Sequence, residues 1–211
     1  MVRTLVLAGL LLPMAARAQH ATAEWWPEVD VYWTPAEHQR TFLELSQSTE
    51  REGSKNEGTV GLYQDYLRLP RGYLRAGYRF TFSMRDASYR ESRGVAEATL
   101  RVFGTSSWRL VNRSRTELRW VNGEYSYRLR DRLHLQHMPF SPSRRAWRPY
   151  VTAEAYYDSR YDTIARIGAR AGTEFHIWRA ADCDTYVAQQ DNSRGTPRRA
   201  EALGVTLKLD Y

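Results

Sequence analysis

The chain has 211 residues, a formal net charge of +7 and 13% aromatic content, with 14 Tyr and 7 Trp, yet its mean hydropathy is −0.64. That combination argues against apolar membrane helices and fits a conventional soluble core poorly; it suits a chain that is apolar outside and polar inside. A pI near 9.7 would suit nucleic acid, but Lys55 and Lys208 are the only lysines and the arginines form no block, so no nucleic-acid partner is expected.

The chain opens on a predicted signal peptide, residues 1–18. Arg3 supplies positive charge, Leu5 to Met14 are apolar, and Ala16-Arg17-Ala18 is a small-x-small cleavage site. The apolar run falls short of the roughly 20 residues that a spanning helix needs. Residues 19–211 then read as one domain, with no linker or charge block.

Within that domain eleven strand candidates follow in order: about 25–34, 38–49, 58–69, 73–84, 93–103, 107–120, 124–136, 148–158, 161–177, 181–190 and 202–211. The pattern is strict alternation, because successive strand side chains point to opposite faces. Leu74, Ala76, Tyr78, Phe80 and Phe82 oppose Arg75, Gly77, Arg79 and Thr81; Ala96, Ala98, Leu100 and Val102 oppose Glu97, Thr99 and Arg101. Over 108–120 one face carries Trp108, Leu110, Leu118 and Trp120, and the other Arg109, Arg113, Arg115, Glu117 and Arg119. Twelve residues of tilted strand place the two Trp about 28 Å apart along a membrane normal, the spacing of two aromatic girdles. Asp131 is the exception in the next strand: it falls on the apolar face, and is expected near an interface or at a bulge. Ala165, Ile167, Ala169 and Ala171 read outward against Arg166 and Arg170.

Pro70-Arg71-Gly72 and Asn122-Gly123 mark tight reversals, while 50–58, 85–92 and 191–199 read as longer polar loops. The last strand alternates Leu203, Val205, Leu207, Leu209 and Tyr211 with polar residues, and Leu207, Leu209 and the terminal Tyr211 resemble the signal read by the outer-membrane assembly machinery. The expected fold is therefore all-β: an antiparallel transmembrane β-barrel in the outer membrane of a Gram-negative bacterium, closed by the C-terminal strand. Bacterial single-chain barrels have even strand numbers. Twelve strands are expected, with ten as the alternative if Trp25 to Thr34 lies outside the barrel.

The run Asn112-Arg113-Ser114-Arg115-Thr116-Glu117-Leu118-Arg119, with Arg128-Leu129-Arg130, Glu154 and Arg166-Ile167-Gly168, resembles the proteobacterial outer-membrane family classed as domain of unknown function 2490. The strand carrying Tyr186, Gln189 and Gln190 is similar too. The resemblance implies a barrel and supplies no activity.

Alternation sends Arg75, Arg79, Arg101, Arg109, Arg113, Arg115, Arg119, Arg128, Arg130, Arg132, Arg166 and Arg170 inward, against Glu97, Glu117, Glu154 and Glu174. Like charges repel strongly unless screened or paired. Two readings follow: a narrow pore preferring small anionic solutes, or a non-conducting barrel braced by Arg–Glu pairs. A binding role for the outer loops is a third, in which rim arginines such as Arg90, Arg93 and Arg160 meet the phosphates of lipopolysaccharide. An enzyme is less well supported. No G-x-S-x-G or H-E-x-x-H run occurs, and His134 and His137, three apart, point to opposite faces of a strand. Cys183 has no partner for a disulfide, and no cofactor or metal is implied.

Overall fold

The computed structural model describes residues 22–50, 55–85, 89–138, 147–194 and 198–211. The predicted signal peptide and parts of the three longer loops lie outside them. The alternating segments form β1 (Thr22–Ala36), β2 (Gln39–Glu50), β3 (Asn56–Leu69), β4 (Gly72–Ser83), β5 (Arg90–Gly104) and β6 (Trp108–Val121). They continue as β7 (Glu124–His137), β8 (Trp147–Asp158), β9 (Thr163–Trp178), β10 (Ala181–Asn192) and β11 (Arg199–Asp210). Each pairs with its chain neighbours and the sheet closes on itself. Asn122 and Gly123, both at positive φ (51° and 93°), make the two-residue turn between β6 and β7, where an Asn-Gly pair accepts the left-handed backbone.

The strand count corrects the sequence reading. Among the described residues there are eleven strands, neither twelve nor ten, and β1 is a full member. A chain that reverses at each of the ten connections between eleven strands leaves its first and last strands pointing the same way. Closure is therefore parallel, in register from Thr22↔Ala200 to Tyr32↔Asp210. What a barrel requires is that no edge stay unpaired; an even number is needed only when the last pair is antiparallel. The carboxyl terminus and the start of β1 consequently lie at opposite rims. Tyr211 is tied down by its own N–H, which donates to the Tyr32 carbonyl at 2.9 Å.

The outer wall carries two aromatic belts. Near the carboxyl-terminal rim Trp33, Trp108, Trp147 and Trp178 are exposed; near the other, Trp25, Trp120, Tyr125 and Tyr127 are. Leu, Val, Ile and Ala lie between. Leu207 and Leu209 belong to this outer face, alternating with the inward Thr206 and Lys208 that line the barrel's interior.

Asp131 departs from expectation. It sits midway along β7, opposite Ser114 in an unbroken register, and so lies neither at a rim nor at a bulge. Its carboxylate faces outward and accepts from Asn112 Nδ2 at 2.6 Å and Ser114 Oγ at 2.7 Å. A carboxylate facing lipid at mid-depth is costly. Asp131→Leu is expected to raise the stability of the folded barrel in lipid vesicles by about 1–2 kcal/mol, since acidic groups cost less there than Arg or Lys. Ser114 and Asn112 keep each other at 3.2 Å. A lower urea midpoint for the variant would mean that this wall does not face hydrocarbon.

Inside, rings lie flat across glycines. A Cβ on Gly77 would stand 2.5 Å from the Tyr63 ring and 2.4 Å from the Leu62 carbonyl oxygen, and one on Gly204 would stand 2.1 Å from the Tyr186 ring. Only a residue without a side chain admits that close approach.

Candidate functional site: a braced chamber inside the barrel

The inward faces of the strands build an ion-pair network. Glu97 accepts from Arg115 at 2.7 Å with Arg113 at 3.6 Å, and Glu117 lies 3.6 Å from Arg115 and 3.7 Å from Arg93. Glu154 accepts from Arg130 at 2.6 Å and Arg132 at 2.5 Å. Arg79 meets Glu44 at 3.1 Å. Arg119 is shared between Glu91 and Asp158, and Arg128 also reaches Asp158, at 3.1 Å. Arg170 is held by rings, 4.8 Å from the Tyr186 centroid and 5.6 Å from that of Trp26.

Toward the carboxyl-terminal rim the interior is filled. Tyr32, Phe42 and Tyr63 stack with centroids 4.7 and 5.1 Å apart, and Arg75 lies over Phe42 at 4.3 Å. Arg75 donates to Asp65 at 2.6 and 3.0 Å, and Arg40 donates to the same carboxylate at 3.0 and 2.7 Å. Asp65 is 0% exposed. Across the barrel Gln136, also fully buried, accepts from Arg109 and donates to Glu174 at 3.0 Å, while Lys208 reaches Glu174 at 2.5 Å. The His134 ring packs on Tyr150 at 4.7 Å and His137 packs outside on Trp108 at 4.8 Å, so the two histidines take opposite faces.

Above this floor lies a chamber of about 430 Å³ that reaches the opposite rim at Ser48, Lys55 and Glu57. Glu28, Asp30 and Glu44 line one side; Arg113, Arg130, Arg132 and Arg170 line others. Asp30 Oδ1 and the Nε atoms of Arg79, Arg113 and Arg128 have no hydrogen-bond partner among the described residues, so the lining suits water or a small polar solute.

The charge balance differs from the sequence reading. To the four expected glutamates the structure adds Glu24, Glu28, Asp30, Glu44 and Asp65 from β1–β3, and Glu91, Asp158, Asp182 and Asp184 from β5, β8 and β10. The cations gained are fewer: Arg40, Lys55, Arg93, Arg148, Arg160 and Lys208. The excess of cations is therefore smaller than the alternation alone implies. Arg101 is exposed at the end of β5, beside a register shift, outside the braced interior. Arg166 points inward and donates to Asn192 at 2.6 Å. A register shift at Tyr156/Tyr157 turns Ala165 inward, where it is 9% exposed, correcting its outward assignment.

No curated protein matches the sequence. A family model described as a protein of unknown function (DUF2490) matches residues 40–201, from β2 into β11, and the chain therefore belongs to that family.

Proposed function

We propose that the protein is an outer-membrane β-barrel, exported on a cleaved signal peptide, whose lumen is a floored chamber that takes up small charged solutes from one rim without conducting them through. The observation that carries this reading is the floor: Asp65, wholly buried between Arg40 and Arg75 beneath the Tyr32–Phe42–Tyr63 stack. The outward belts suit the two interfaces of a bilayer. Leu207, Leu209 and Tyr211 suit recognition by the assembly machinery. The anion-pore reading rests on twelve arginines against four glutamates, and the additional carboxylates outnumber the additional cations and reduce that excess.

The test is electrical. Refolded, heat-modifiable protein in planar bilayers is expected to give no discrete conductance steps. Anion-selective steps, lowered when Arg113, Arg115 and Arg130 are neutralised together, would replace this reading with the pore.

A further inference from the structure

At the rim opposite the carboxyl terminus a second cavity, about 170 Å³, opens between the ends of β7, β8, β9 and β10. Four guanidinium groups line it, from Arg128, Arg160, Arg166 and Arg194, and one carboxylate, Asp158. That carboxylate is already saturated. Its Oδ2 accepts from Arg119 at 2.8 Å, Arg128 at 3.1 Å and Arg160 at 2.9 Å. Its Oδ1 accepts from Arg160 Nε and the Arg160 backbone N–H, each at 3.1 Å. Asp158 thus positions arginines more than it neutralises them.

The remaining cations lack such partners. Arg166 gives its Nε to the neutral Asn192 side chain at 2.6 Å. Among the described residues no carboxylate pairs with Arg166 or Arg194, and the buried Nε of Arg128 has no partner. Local backbone geometry builds the cleft. The turn after β8, with Asp162 at φ 50° and Tyr161 N–H donating to Asp158 O at 3.1 Å, folds Arg160 over Asp158. The register shift at Tyr156/Tyr157 brings the small Ala165 inward beside Arg166 and leaves room there.

We propose that this cleft binds a phosphoryl anion, either free phosphate or the monoester headgroup of a lipid. Several guanidinium forks converging on a volume of a few water molecules match a tetrahedral dianion with many acceptor sites better than a flat carboxylate, which two forks satisfy. The site stands independently of whether the lumen conducts.

The experiment is calorimetric titration of detergent-folded full chain with inorganic phosphate, with acetate, and with phosphatidic acid in mixed micelles. Saturable phosphate binding is expected, with acetate at least tenfold weaker. Arg166→Gln with Arg194→Gln is expected to weaken phosphate at least tenfold; neither residue is in an ion pair, and heat modifiability on gels reports that the variant folds. Arg101→Gln, on the other rim, is expected to change nothing. Phosphatidic acid binding more tightly than phosphate, and equally sensitive to the double variant, assigns the headgroup; phosphate binding without it assigns the free solute. Absence of saturable binding to both, or binding unchanged in the double variant, overturns the site. A conducting barrel that still binds phosphate would refute the floored chamber and leave this site standing.

Discussion

Asp65→Leu alone is expected to destabilise the folded barrel by about 3–5 kcal/mol, the usual cost of removing one partner from a buried ion pair. The carboxylate is 0% exposed and takes four hydrogen bonds from two guanidinium groups. Its loss strands two cations of unequal standing. The Arg40 side chain is 27% exposed and finds water; that of Arg75 is 5% exposed, between rings, and does not. Most of the penalty therefore belongs to Arg75. Adding Arg75→Met is expected to restore most of what Asp65→Leu removes, because an apolar pair of similar volume often replaces a buried ion pair at little cost. Urea unfolding followed by tryptophan fluorescence measures both variants. A single variant within about 1 kcal/mol of wild type, or a double variant no better than the single, would show that water reaches this floor.

The outer wall was legible because most of it obeys one rule. From Trp108 to Trp120 every second residue meets the outside, and no bulge interrupts the phase. All eleven segments formed, with ends within a few residues of those read from alternation. The interior was harder to read for three separate reasons. Glu24, Glu28 and Asp30 lie on β1, whose place in the barrel depends on pairing with β11 some 180 residues away. No local pattern reports that contact. Glu91 and Asp158 sit at strand ends, where alternation fades into loop composition, yet both are buried among arginines: Arg93 of the same strand and Arg119 at Glu91, and Arg119, Arg128 and Arg160 at Asp158. Ala165 was lost to a bulge, since one extra residue inverts the face of what precedes it. Counting arginines found most of the cations; their partners were spread over strands where acids looked like surface residues. Asp131 marks the reverse case. Its alternation was right, and the expectation that an outward carboxylate must lie at a rim or a bulge was not.

Tyr32→Ala with Phe42→Ala is expected to change the barrel from electrically silent to conducting. These rings form two of the three members of the stack above Asp65, and an aromatic side chain of this kind buries about 150–250 Å². The chamber already extends from the opposite rim down to Tyr32, Phe42 and Arg75. Removing the rings joins it to the solvent around Arg40, the exposed member of the ion pair beneath. The barrel itself should survive, since its closure rests on continuous backbone pairing of β1 with β2 and β11 and not on the lumen. Arg75, no longer capped, would then face the new passage with Arg113 and Arg130, so the steps should favour anions. Discrete steps in the variant and none in wild type would place the barrier at this stack. Steps of equal size in both would mean that solutes already pass beside it, through the polar half of the floor at Gln136 and Glu174, whose hydrogen bonds are then the ones that open.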